Sequence, residues 1–158
     1  MRIAVCDDNN AERSKLRKLI EMYCQSNHYN VEIREFSSGT ELLHSMQFAD
    51  YAIVFLDVFL DGEHGIQIGK LIRQHFRDCL LIFCTVSRIF AVESYELNAL
   101  HYLIKPIDYN HLEDALNRCE GMPHDQARQL LVSIKPEKGV QVKDIQYVEV
   151  LRKECHND

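Results

Sequence analysis

The sequence predicts an α/β fold, a five-stranded parallel doubly wound sheet over residues 1–120, followed by a short β-rich C-terminal extension. Three observations point there. Short, nearly continuous apolar runs recur through the first 120 residues, and segments of helical period separate them. Four of the runs are followed or closed by a polar residue, as strands are where they leave a sheet. Runs this apolar suit strands buried on both faces by helices, the situation of a parallel sheet.

Ile3–Cys6 is the first run. Asn9 or Asn10 can cap the helix that follows, in which Leu16, Leu19, Ile20 and Tyr23 recur at i, i+3, i+4, i+7. Val31–Phe36 alternates apolar and polar residues, which suits an edge strand with one solvated face. Ser38-Gly-Thr-Glu41 then has the spacing of a capping box. Ala52–Leu56 is the next buried strand, and Ile68, Leu71, Ile72 and Phe76 mark the apolar face of the helix after it. Leu80–Cys84 is followed by Arg88–Leu97, the helical segment of weakest period. Tyr102–Ile104 precedes a last helix with Leu112, Ala115, Leu116 and Cys119 on one face. Five β-α units on one sheet, joined by right-handed crossovers, is the economical reading.

Gly121 and Pro123 break the pattern, and residues 121–128 are expected to be a linker. Residues 129–158 read differently, as short strands (Leu130–Ile134, Val140–Val142, Ile145–Leu151) joined by turns.

Bulk properties narrow the class. The longest apolar runs, Tyr51–Leu56 and Cys79–Cys84, are six residues each, far short of the ~20 of a membrane helix. No apolar leader follows Met1, so a cytoplasmic protein with no membrane partner is expected. The six cysteines include no CxxC pair and read as buried or incidental thiols. The net charge is −6, with 12 Lys/Arg against 18 Asp/Glu in residues 1–120 and 6 against 6 in residues 121–158. The first part is therefore a poor match for a phosphate backbone.

Ligands of an open parallel sheet bind beyond the carboxyl ends of its strands. The residues at those ends are Asp7-Asp8, Asp57, Thr85 and Lys105-Pro106. Singly, each has a plain structural role: a helix N-terminal acid pair, a turn, a cap, a solvated strand end. Together they have a chemical logic. Three carboxylates at one edge repel, at roughly 4 kcal/mol per pair for ~4 Å and an effective dielectric of about 20. A divalent cation and Lys105 balance the three charges, and all-oxygen ligation with few protein groups favours Mg²⁺. A carboxylate can attack phosphorus to give an acyl phosphate. Metal, lysine and a threonine hydroxyl can stabilise the transferring group's oxygens.

The stretches Ile3-Ala-Val-Cys-Asp7-Asp8, Ile53-Val-Phe-Leu-Asp57-Val58, Cys84-Thr85 and Ala99-Leu-His-Tyr102-Leu-Ile-Lys105-Pro106 resemble bacterial two-component response-regulator receivers over about residues 1–120. The resemblance implies a flavodoxin-like strand order 2-1-3-4-5. It implies Asp57 as phosphoacceptor from a cognate sensor histidine kinase. Asp7, Asp8, Asp57 and the backbone carbonyl of Phe59 are implied as ligands of Mg²⁺. Thr85 and Lys105 would contact the phosphoryl group, Thr85 and Tyr102 would form the switch, and a cis peptide would precede Pro106. It also implies a phosphorelay component whose catalysis is limited to self-catalysed phosphotransfer and autodephosphorylation, and a homodimer on phosphorylation. No other cofactor is implied. Val132-Ser-Ile-Lys-Pro-Glu-Lys-Gly-Val140 and Asp144-Ile-Gln-Tyr-Val-Glu149 resemble the start of a LytTR-type DNA-binding domain. The chain is accordingly expected to be cut within that domain, with DNA bound, and transcription controlled, only by the full-length regulator.

Three features depart from the usual receiver pattern. The loop Val58-Phe-Leu-Asp61-Gly62-Glu-His-Gly65 lacks a proline, Val86 follows Thr85 where a small residue is usual, and Phe59 is bulky for its place. Phe59, two residues past Asp57, and Ser87, two past Thr85, are expected to border the approach of a hydrolytic water. A rival reading, an aspartate-nucleophile phosphohydrolase, needs a second acid two residues after the nucleophile, where Phe59 stands. A receiver serving only as a binding module sits poorly with an intact set of Asp7, Asp8, Asp57, Thr85 and Lys105. Gly62-x-x-Gly65-x-x-x-Gly69 has the wrong spacing for a dinucleotide site and reads as loop and packing glycines.

Overall fold

The computed structural model describes residues 1–119; the linker and the β-rich extension expected at 121–158 lie outside the described residues. The chain begins with β1 (Arg2–Cys6), α1 (Asn10–Ser26), β2 (Glu32–Phe36), α2 (Gly39–Met46) and β3 (Ile53–Leu56). A small antiparallel hairpin follows, β4 (Phe59–Leu60) and β5 (Glu63–His64), running directly into α3 (Gly65–His75). The remainder is β6 (Leu80–Thr85), α4 (Ala91–Glu96), β7 (His101–Ile104) and α5 (Tyr109–Cys119).

The main sheet has the order β2-β1-β3-β6-β7, every pairing parallel. Renumbered over its own five strands this is 2-1-3-4-5, and the alternating strand β2 lies at an edge, paired only with β1. Side chains alternate between the faces of a strand, so each buried strand feeds two cores. On one face Ile3, Val5, Ile53, Phe55, Leu80 and Ile82 meet α1 and α5 through Leu16, Ile20, Leu112 and Leu116. On the other Ala4, Val54, Leu56, Leu81 and Phe83 meet α2 and α3 through Leu42, Met46 and Ile72. All four apolar positions expected of α5 are buried.

Local chemistry sets the helix starts. Asn9 accepts a hydrogen bond from the Glu12 amide at 3.1 Å, so Asn9 rather than Asn10 caps α1. Ser38 caps α2 by accepting from the Glu41 amide at 3.1 Å. The return bond of a capping box is displaced by one residue, because the Glu41 carboxylate accepts from Ser37 instead. Phe90, at the N-cap of α4, makes no side-chain capping bond. That helix is six residues long, in keeping with its weak sequence period.

The apolar face of α3 is turned from the one the sequence suggests. Ile68 and Ile72 are buried, but Leu71 is 40% exposed. Gly65 and Gly69 line the inward side in its place. A Cβ on Gly69 would lie 2.9 Å from the Phe83 ring and 3.0 Å from Leu97. The missing side chain lets α3 roll toward β6, and Leu71 rolls out. Among the described residues no helix is long and apolar enough to cross a membrane, and Cys6, Cys24, Cys79, Cys84 and Cys119 are free, buried thiols.

The orientation of α3 has a measurable consequence. Ile72→Ala should lower the unfolding free energy by ~2–5 kcal/mol, while Leu71→Ala next to it should cost less than about 1 kcal/mol. Urea denaturation of both variants checks this; equal losses would contradict the roll.

Candidate functional site

The carboxyl ends of β1, β3, β6 and β7 bring the predicted residues together. Asp7 follows β1 and Asp57 follows β3; these strands are direct neighbours, so the two acids stand side by side. Both are buried, at 3% and 6% exposure, while Asp8 is exposed. One carboxylate oxygen from each of Asp7, Asp8 and Asp57 lies within 4.8 Å of the others.

Lys105 leaves β7 and donates from Nζ to Asp7 Oδ2 at 2.6 Å and to Asp57 Oδ2 at 2.9 Å. The peptide Lys105–Pro106 is cis, as the resemblance implies. Burial acts against the Lys105 ammonium, but Asp7 and Asp57 outweigh it and hold its pKa above the ordinary value. Burial likewise pushes the Asp57 carboxyl above the usual carboxylate range, with Lys105 and the Phe59 amide opposing. The group is thus a buried carboxylate whose charge depends on its partners.

The backbone refines each position. Asp57 Oδ1 accepts from the Phe59 amide at 3.1 Å, and Asp7 Oδ1 from the Asn9 amide at 2.9 Å. Arg13 Nη1 donates to the Asp7 carbonyl at 2.7 Å, a contact no sequence pattern announced. Gly65 donates to the Val58 carbonyl at 2.7 Å, and a Cβ there would lie 2.0 Å from the Asp57 carbonyl oxygen.

Thr85 ends β6, fully buried, and its carbonyl accepts from the Lys105 amide at 2.8 Å. Its hydroxyl Oγ1 is buried without a hydrogen-bond partner. An orphaned donor of this kind is costly unless a ligand uses it. Tyr102, half-buried on β7, packs its ring near Phe83 and donates its hydroxyl to the Ser87 carbonyl. Val86, which follows Thr85, is 69% exposed. The donor set therefore fits a hard divalent cation: three clustered carboxylates for the ion, and a free hydroxyl and an ammonium for the oxygens of an anion it carries.

Sequence reasoning missed the hairpin β4–β5. Asp61-Gly62 between two short strands is its signal, since Gly adopts positive φ without strain; Gly62 does so, at 71°. It also missed Glu63, whose carboxylate accepts from the Gly39 amide, the Thr40 amide and the Thr40 hydroxyl, tying the hairpin to the start of α2.

Comparison with known proteins agrees with this geometry. The family model described as response regulator receiver domain matches residues 3–117. The sensory transduction protein LytR of Staphylococcus saprophyticus is 30% identical over 120 residues, 76% of this chain and 46% of that protein. LytR of Staphylococcus epidermidis is 28% identical over 156 residues, 99% of this chain and 58% of that one. The chain spans about half the length of these curated relatives. In fold it is similar to the response regulatory domain of mrkE from Klebsiella pneumoniae (TM-score 0.66, 22% identity, 87% of this chain and all of that one). It is also similar to the response regulator TrrA from Thermotoga maritima, solved in complex with Mg²⁺-BeF (TM-score 0.60, 24% identity, 74% of this chain and 96% of that one).

The close approach at Gly65 yields a prediction. Both nearest atoms are backbone and cannot rotate away, so Gly65→Ala must displace the Asp57–Val58 segment, at a cost of ~1–3 kcal/mol or more. Chemical denaturation of the variant checks it; wild-type stability would show that the segment yields freely.

Proposed function

The chain belongs to the response regulator receiver family, and on that footing we propose that it is a phosphorylation-dependent switch of a two-component system, with Asp57 as phosphoacceptor. The observation that carries this reading is the unpartnered, buried Thr85 hydroxyl at the strand edge where three carboxylates share a single lysine.

Asp57 supplies the nucleophile. One of its carboxylate oxygens forms the bond to phosphorus while the bond from phosphorus to the donor breaks, and the donor's leaving group keeps that electron pair. Lys105, already held on Asp57, pairs with the phosphoryl oxygens as they take up charge, and Thr85 Oγ1 donates the hydrogen bond it lacks at rest. Arg13 and the Asn9 amide hold Asp7 in place, and the Phe59 amide orients Asp57. Asp7, Asp8, Asp57 and the Phe59 carbonyl would hold Mg²⁺. When bound, Mg²⁺ supplies Lewis-acid neutralisation of the carboxylates and of the phosphoryl oxygens. TrrA, similar in fold, was solved in complex with Mg²⁺-BeF, which supports Mg²⁺ as the ion.

No catalysis beyond self-catalysed phosphotransfer and autodephosphorylation is proposed. The donor would be a sensor histidine kinase and the setting cytoplasmic; the whole regulator would control transcription through a C-terminal DNA-binding region, and a longer relative from Staphylococcus aureus, the transcriptional regulatory protein LytR, supports the transcriptional role. Exposed Ile89, Val92 and Tyr95 support a homodimer formed on phosphorylation through the side of the sheet that carries α4, β7 and α5. Thr85 and Tyr102 would relay the change to that side.

Incubation with acetyl phosphate and Mg²⁺ should add one phosphoryl group by intact mass, and Asp57→Asn or a chelator should abolish it. An undiminished adduct in Asp57→Asn would sink the reading. Mg²⁺ alone should raise the midpoint of thermal unfolding by binding the folded state, and Asp8→Asn should weaken that rise. A midpoint indifferent to Mg²⁺ up to millimolar concentration would remove the metal from the proposal.

A further inference from the structure

Three aromatic rings lie between the loop that follows Asp57 and the loop that follows Thr85. Phe59 and His64 are directly opposed in the hairpin β4–β5, so their side chains project from the same side of it. Both meet Phe90, the residue before α4. The Phe59 and Phe90 centroids are 5.6 Å apart at 70°, those of His64 and Phe90 4.7 Å at 78°, and those of Phe59 and His64 6.3 Å at 67°. All three are edge-to-face arrangements in the attractive range. The rings form a clasp between two segments that no strand pairing joins.

Both halves of the clasp are anchored from behind. Glu63 holds the hairpin to the α2 start through Gly39 and Thr40. Tyr102 holds the opposite loop by its bond to the Ser87 carbonyl, and Ser87 Oγ accepts from the Ile89 amide at 3.2 Å. The main chain of Phe59 is tied to the site, because its amide donates to the Asp57 carboxylate, which leaves the ring to be placed by its neighbours. Yet Phe59 is 42% exposed, so its ring is not part of the core.

We propose that Phe90 and His64 are positioning residues that hold the Phe59 ring over the water approach to Asp57 and so prolong the life of its phosphorylated form. This rests on Asp57 being the phosphoacceptor. Hydrolysis forms a bond from a water oxygen to phosphorus and breaks the bond from phosphorus to the Asp57 oxygen. It frees the carboxylate, and the water's protons leave with inorganic phosphate. That water must be oriented, and the edges of the two phenyl rings offer it no hydrogen bond. His64 cannot substitute through Nδ1, which already accepts from the Ile66 amide at 3.2 Å. With the ring of Phe90 gone, Phe59 loses the partner that faces it from across the site, and water gains access.

The experiment follows decay of the acetyl-phosphate adduct in the full chain after donor removal, in Mg²⁺, for wild type, Phe90→Ala, Phe90→Leu and Phe90→Tyr. Phe90→Ala should lose phosphate roughly tenfold faster, the factor one well-placed hydrogen bond to the attacking water is worth. Phe90→Leu should also be faster, since it keeps apolar volume without a ring edge, and it guards against simple loss of fold in the alanine variant. Phe90→Tyr, which keeps the ring, should stay within about twofold of wild type. Amide exchange of residues 59–64 in the unphosphorylated chain should quicken in the first two variants and not in the third. Equal decay in wild type, alanine and leucine variants overturns the clasp and leaves the phosphoacceptor reading intact. A wild type that forms no adduct overturns that reading, and the clasp's function with it.

Discussion

The structure is organised around one largely enclosed ammonium group, that of Lys105. Lys105 Nζ lies within hydrogen-bond distance of Asp7 and Asp57 at once, and all three side chains are largely out of water. Neither carboxylate could be kept there alone, because an unpaired buried charge costs several kcal/mol. Their adjacency follows from β1 pairing with β3, but the lysine comes from β7, with β6 in between. Strands about 4.8 Å apart put β7 roughly 10 Å from β3. Only a long cationic side chain closes that gap, and a lysine presents a compact charge that two acids can share. The strand order is therefore a condition of the charge balance, since another order would separate the three groups.

That balance is incomplete by design of its parts. Two buried carboxylates and an exposed third face one ammonium, and burial still lifts the Asp57 carboxyl above its ordinary range. Replacing buried ion pairs by apolar residues is often neutral or stabilising, so their presence argues little for stability. The unpartnered Thr85 hydroxyl points the same way, since a core built only for stability would satisfy it. Residual negative charge calls for a cation, and a spare donor beside an ammonium calls for an anion. A group such as metal-bound phosphoryl meets both demands together.

Much of this was legible in the sequence because strand ends are marked by a change of residue type. Apolar runs ending in Asp7, Asp57, Thr85 and Lys105 identified both the sheet and its functional edge. The alternation at 31–36 identified the edge strand β2. What escaped was decided by contacts between segments distant in sequence. Leu71 fits the i, i+3, i+4 pattern of α3, but the notional Cβ of Gly69 fixes the true inner face through Phe83 and Leu97. Glu63 reads as a loop acid until α2 is seen to start against it. Phe90 reads as an interruption in a poorly periodic segment, and its ring partners lie 26 and 31 positions earlier.

The segment from Val86 to Asn98 shows why weak periodicity is itself informative. A helix of six residues cannot hold its place by an apolar stripe, and most of the apolar side chains here, Val86, Ile89, Val92 and Tyr95, are exposed. Discrete ties hold it instead. Phe90 enters the aromatic group at one end, and Tyr102 bonds to Ser87 nearby. At the other end Arg73 donates to the carbonyls of Leu97 at 2.7 Å and Asn98 at 3.2 Å, while also bonding that of Cys79 at 2.6 Å. Elements secured by few contacts open at lower free energy than the core they flank. Ile72 and Phe83 belong to a close-packed interior that cannot deform gradually, whereas these ties can break one at a time. A charge change at Asp57 would therefore be expressed in this segment, because it adjoins the site and is held by a few separate ties.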